Sequence, residues 1–209
     1  MQNLDTTADL IRQEMEQMNS ARDLAYQQSR QLISICARSI RAVHREEWEI
    51  AESLITDARS AAKTMVDGVR NFPNLYWAGY TQDALKEYVE ANLTYALIRD
   101  KPLPTPAELN AESSTWLNGL AEAATELRRR ILDIIRHGYS DEAERLLDAM
   151  DQIYSILVTF DFSDGITLGL RRRTDTVRAV LERTRGDVTT SLRQGELEKA
   201  LKSLEAKLV

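Results

Sequence analysis

The sequence predicts an all-α protein: a single domain over residues 1–209, built from about seven helices, several of them long. Three observations carry that expectation. Gly (8) and Pro (4) are scarce, so turn punctuation is sparse and elements are long and few. Ala, Leu, Glu and Arg, all good helix formers, are abundant. Apolar residues recur in steps of three and four along most of the chain, with no strand-like alternation and no internal repeat.

Residues 5–46 read as one long helix, with Leu24, Leu32, Ile35, Cys36, Ile40 and Val43 on its apolar side. Its second half carries Arg30, Arg38, Arg41, His44 and Arg45, of which Arg38, Arg41 and Arg45 share a face. That stripe is either solvated surface or a grip for phosphate oxygens, whose geometry the guanidinium fork matches. A second helix, 47–69, turns Trp48, Leu54, Ala58, Ala62 and Met65 inward and breaks at Asn71-Phe72-Pro73-Asn74. A third, 75–98, holds Tyr76, Trp77, Tyr80, Tyr88 and Tyr95, read mainly as core or interface. Pro102, Pro104 and Pro106 forbid a helix through 100–105. Thr105 then caps a short helix with Pro106 at its first position.

Ser113 or Ser114 caps the next helix, which runs to residue 135 and closes at Gly138. Ser140 caps an amphipathic helix whose apolar positions include Ala143, Leu146, Leu147, Met150 and Ile153. Residues 160–165 form a turn, and an Arg-rich helix covers 166–193. Gly195 sets off a terminal helix, 196–208, with Leu197, Leu201, Leu204 and Leu208 on one face.

Composition excludes several classes. A hydrophobic content of 43% with 29% charged residues fits an ordered soluble protein. The lone Cys36 cannot form an intramolecular disulfide, which points to a reducing, cytoplasmic setting. The N-terminal segment is polar and acidic, so it is not a signal peptide. No apolar run approaches the roughly 18 residues a membrane span needs. A net charge of −6 argues against coating nucleic acid with the whole surface, so any contact would use a local basic patch. There is no Gly-rich phosphate loop, and one Cys with two His leaves no zinc set. His44 and His137 sit near helix ends among charges and read as surface residues, which leaves nothing for a Ser–His–Asp triad. A di-iron bundle needs Glu-x-x-His pairs, but Arg41 and Ile134 stand three residues before the two histidines.

What remains is acidic. Glu87 and Glu90 lie three apart in Leu85-Lys86-Glu87-Tyr88-Val89-Glu90-Ala91, and Glu122 and Glu126 lie four apart in a second apolar setting. Each pair shares one helix face. Such spacing is also what a solvated face shows. If the two helices pack face to face, four carboxylates converge and raise one another's pKa unless a cation joins them. Mg²⁺, with Mn²⁺ as a substitute, prefers such oxygen ligands. Arg128, Arg129 and Arg130 point three ways around their helix, so one of them can neutralise a carboxylate or hold a phosphate.

The run 85–91 resembles the acidic helix of the translin superfamily, specifically its Trax branch, where Gln/Lys-Glu-Tyr-Val-Glu-Ala carries catalytic acids. The stretch Trp116-Leu117-Asn118-Gly119-Leu120-Ala121-Glu122-Ala123-Ala124-Thr125-Glu126-Leu127 is similar to that family's second acidic helix. There the pattern is Tyr-Leu-x-Gly followed by Ala-Asp-x-x-x-Glu-Leu, so Glu122 stands where the family has Asp, with one methylene more of reach. Residues 22–45 resemble the basic first helix, and the region from Tyr139 to Gly195 follows the order of the later helices. The compact length resembles an archaeal-type member.

The resemblance implies a Mg²⁺-dependent endoribonuclease that cleaves single-stranded or unpaired RNA. It implies a hollow homo-oligomer of about six to eight subunits, closed by symmetry. Glu87, Glu90, Glu122 and Glu126 would be both catalytic and metal-binding. Arg30, Arg38, Arg41 and Arg45 would hold the RNA backbone, with no membrane involved. The alternative is a non-catalytic, translin-like oligomer that binds single-stranded RNA or DNA. A third reading is a helical scaffold with solvated acids.

Overall fold

The computed structural model describes residues 3–138 and 140–208, and these form helices with no strand among them. Tyr139 and the side chain of Leu208 lie outside the described residues. Among the described residues nine helices follow in order: α1 (Leu4–His44), α2 (Trp48–Val69), α3 (Pro73–Tyr76), α4 (Gly79–Ile98), α5 (Pro106–Leu109), α6 (Ser113–Ile135), α7 (Asp141–Leu157), α8 (Asp164–Thr167) and α9 (Leu170–Leu208). The excess over about seven comes from α3 and α8, one-turn helices that local periodicity is too short to show, whereas the one-turn α5 was expected from its cap.

The innermost element is α4. Nearly every residue from Thr81 to Ile98 is buried, and a helix that is apolar on all sides belongs inside. It packs against α1, α2 and α6, while α6 packs in turn against α7 and α9. Leu32, Cys36, Leu85, Val89, Leu120 and Ala124 share the central apolar cluster. The ends behave differently. The first buried residue of α1 is Ala25, and α9 buries none beyond Val188. Leu10, Ile11 and Met15 at one end and Leu197, Leu201 and Leu204 at the other are exposed.

Local capping chemistry explains several boundaries. Thr105 caps α5 as expected, and does so in a reciprocal capping box: its Oγ1 accepts from the Glu108 amide at 3.3 Å, and Glu108 Oε2 accepts from the Thr105 amide at 2.7 Å. Ser140 accepts from the Glu142 amide, also as expected. Neither Ser113 nor Ser114 caps α6: the N-cap is Glu112, with no side-chain bond. The third helix does not start at residue 75. After the one-turn α3, Thr81 donates to the Leu75 carbonyl at 2.8 Å and Gln82 to that of Tyr76 at 2.8 Å, so α4 begins against α3's own orphan acceptors.

Near the C-terminus, α8 ends on Leu168 (φ 53°) and Gly169 (φ +80°), a left-handed pair that re-aims the chain into α9. That helix then runs unbroken to Leu208, so among the described residues there is no separate terminal helix. Gly186 and Gly195 have open space around them. Each costs roughly 1 kcal/mol of helix propensity, too little to interrupt an established ladder. No described helix is long and apolar enough to cross a membrane.

One glycine sets the spacing of α4 against α6. A Cβ on Gly119 would stand 2.6 Å from Val89 Cγ1, 2.8 Å from Val89 Cβ and 3.1 Å from the Lys86 carbonyl. Gly119→Ala is therefore expected to lower stability by about 1–3 kcal/mol in denaturant unfolding, because the core must part to admit a methyl group.

Candidate metal centre

The close approach at Gly119 puts the acidic turn of α4 beside that of α6. Glu87, Glu90 and Glu122 each present an oxygen within 4.8 Å of the other two. Glu90 is 7% exposed, the most buried of the three. Burial, then the neighbouring charges of Glu87, Glu122 and Glu126, push its carboxyl up to about 9. Cys36 of α1 covers the same point, and burial with the charges of Glu87 and Glu90 pushes its thiol up to about 12.

Two cations attend this trio. Lys86 Nζ donates a short hydrogen bond to Glu122 Oε2 and lies 3.2 Å from Glu87 Oε1. Burial opposes its charge, but the bond to Glu122 and the attraction of Glu122 and Glu87 outweigh burial and raise its pKa. Arg173 reaches in from α9. Its Nε donates to Glu122 Oε1 at 2.9 Å, and its Nη1 donates to Asn118 Oδ1 at 3.1 Å and the Leu168 carbonyl at 3.2 Å. Asn118 is fixed through its own donation to the Thr167 carbonyl at 2.8 Å.

Glu126 stands one turn farther along α6 and is not in the trio, although its charge reaches Glu90. His44 Nε2 donates to Glu126 Oε2 at 2.7 Å, which holds that carboxyl below its usual range, with help from the charge of Arg129. The surface reading of His44 is wrong: its side chain is 2% exposed. It lies four residues after Ile40 and so continues the apolar stripe of α1 inward. That spacing was the signal available in the sequence. Its Nδ1 is buried without a partner.

Of the three consecutive arginines, Arg129 serves the acids. Arg128 pairs with Asp187 at 2.8 Å, and Arg130 with Glu142 at 2.8 Å and Glu46 at 2.6 Å. Arg30, Arg38, Arg41 and Arg45 are exposed along one side of α1. Arg41 precedes His44 by three residues, which sets this stripe beside the acidic seam rather than within it. The sequence reading missed Lys86 and Arg173. Lys86 lay inside the acidic motif without a signal of its own, and Arg173 depends on where α9 packs.

No family model matches the chain. Among solved structures, AfC3PO in a complex with duplex RNA is 30% identical and superposes at a TM-score of 0.83, covering 88% of this chain and 96% of that one. The chain belongs to the translin superfamily, among the C3PO components of translin/Trax type. AfC3PO in a second structure is 29% identical with a TM-score of 0.82. Apo-NeC3PO, at 20% identity, a TM-score of 0.80 and 91% coverage of this chain, shares the translin fold. An uncharacterized protein of Methanocaldococcus jannaschii is 29% identical over 190 residues, spanning 90% of this chain and 83% of that protein.

Proposed function

We propose that this translin-family protein is a divalent-metal-dependent endoribonuclease. One observation carries the reading: three carboxylates, including the buried Glu90, bring oxygens within 4.8 Å of one another. An all-oxygen donor set that represses its own ionisation suits a hard cation, with Mg²⁺ as cofactor and Mn²⁺ as substitute. Glu87, Glu90 and Glu122 would hold it. When bound, such an ion acidifies water and offsets charge on the scissile phosphate.

The chain's own groups do the rest. Glu126, kept ionised by His44, adds negative charge one turn from the trio. Arg173, tied to Asn118 and Leu168, fixes the Glu122 carboxylate. Arg30, Arg38, Arg41 and Arg45, free of carboxylate partners among the described residues, would grip the RNA backbone, a contact that positions without reading sequence. AfC3PO's complex with duplex RNA supports RNA as the ligand class; cleavage of single or unpaired strands remains part of this reading. The exposed apolar stripes at the ends of α1 and α9 suit assembly into a homo-oligomer.

A binding-only reading, covering single-stranded RNA or DNA, has one observation in its favour: both oxygens of Glu122 are engaged by cations. Labelled single-stranded and duplex RNAs incubated with the protein in Mg²⁺ and in EDTA separate the two. Cleavage in Mg²⁺ alone is expected; tight binding without turnover in Mg²⁺ or Mn²⁺ would replace the enzyme with a binder.

The arginine stripe makes its own prediction. Arg41→Glu with Arg45→Glu should weaken RNA binding across sequences. The slope of log affinity against log salt should fall by about two, one per lost phosphate contact. An unchanged slope in fluorescence anisotropy would remove these residues from the interface.

A further inference from the structure

Lys86 holds the place a cation would take. Its side chain is 11% exposed, and among the described residues its ammonium pairs only with Glu122 and Glu87. Arg173 touches Glu122 as well, but Asn118 and the Leu168 carbonyl also hold it. Lys86 has no such anchor and sits on a flexible four-carbon stem. An arriving divalent ion would therefore compete with Lys86 more readily than with Arg173.

A destination lies alongside. A cavity of about 150 Å³ is lined by Trp77, Lys86, Thr115, Asn118, Leu168 and Arg173. Trp77 is 52% exposed at its edge, an open ring face on which a base can stack. Asp83 also lines it and is the one carboxylate there. The charge count admits an anion once metal is bound. With Asp83 included, four ionised carboxylates against Lys86 and Arg173 leave two negative charges. A divalent ion cancels them and so removes the repulsion a phosphodiester would otherwise meet.

We propose that Lys86 is a displaceable counter-ion: metal entry moves its ammonium from Glu122 and Glu87 into this cavity, where with Arg173 it binds an RNA phosphate beside a base stacked on Trp77. Metal loading and RNA engagement are thereby coupled through one side chain. The inference rests on the metal-centre reading above. It differs from a plain ion pair, whose loss would lower stability and leave metal affinity no better.

The test uses Mn²⁺ alone and a fluorescent, hydrolysis-resistant phosphorothioate RNA as probes, with wild type, Lys86→Met, Lys86→Gln, Lys86→Arg and Trp77→Ala. In calorimetry, Lys86→Met should bind Mn²⁺ about tenfold tighter, at the low end of what removing a like charge at contact distance yields. In anisotropy, the same variant should bind RNA about tenfold more weakly in Mn²⁺, the loss expected for one desolvated charge-assisted contact, yet match wild type in EDTA. Lys86→Gln should follow Lys86→Met and covers the case in which Met impairs folding, while Lys86→Arg should stay near wild type. Trp77→Ala should weaken RNA binding without changing Mn²⁺ affinity. Unchanged or weaker Mn²⁺ binding by both neutral variants, or an equal RNA defect with and without metal, overturns the proposal. Wild type that binds no Mn²⁺ overturns the metal centre itself, a result distinct from failure of the counter-ion role.

Discussion

Glu90→Gln is expected to abolish metal-dependent RNA cleavage while making the metal-free protein more stable. The two effects share one cause. Glu90 is the trio's buried member. Its carboxylate matters only when a cation occupies the site, and without one its charge is a burden. Losing several kcal/mol of metal-supplied stabilisation would slow cleavage by roughly 10³-fold, at about 1.36 kcal/mol per decade. The amide retains shape but not charge, so thermal unfolding in EDTA at neutral pH should show a gain on the order of 2 kcal/mol. Cleavage by Glu90→Gln at the wild-type rate would remove Glu90 from the chemistry. Parallel destabilisation would mean that its carboxyl is structural.

The stability of metal-free wild type should fall as pH rises from about 4.5 to about 9, and Mn²⁺ should reverse that trend. Folded Glu90 keeps its proton up to about 9, whereas the unfolded chain releases it near 4.5. Across that window the folded state binds the extra proton, so raising the pH favours unfolding. The penalty is absent below the unfolded value and complete above the folded one. Glu126 runs the other way. His44 holds its pKa low, so it adds stability above the ordinary carboxylate range and loses it as pH falls through the folded value. The apo protein should therefore be most stable in mildly acidic buffer. A divalent ion binds the ionised trio, so its stabilising shift should grow with pH. Melting temperatures measured in EDTA and in Mn²⁺ from pH 5 to 9 check this. A flat EDTA profile, or a metal effect independent of pH, would contradict the crowding of acids around Glu90.

Much of the fold was legible because its signals are local. Thr105 and Ser140 sit just before apolar periodic runs, and capping needs only the next few amides. Gly and Ser signals misled at two helix boundaries. Gly195 reads as a break, yet α9 continues because a single glycine costs less than ending the ladder. Ser113 reads as a cap, but Glu112 takes that place. His44 reads as surface because Arg41, Arg45 and Glu46 surround it in sequence, while its own helical position turns inward.

By itself the sequence determined that this chain is helical, that its acids fall in two one-face pairs, and that it resembles the translin superfamily. Those features follow from helical period and residue chemistry within a few turns. Only the tertiary structure decided which acids meet: Gly119 lets α4 and α6 close until Glu87, Glu90 and Glu122 share one small volume, while His44 takes Glu126. It also decided that Lys86 and Arg173 guard Glu122. Contacts between residues 36, 51 and 82 positions apart arise from how helices pack, and no periodicity along one helix encodes them.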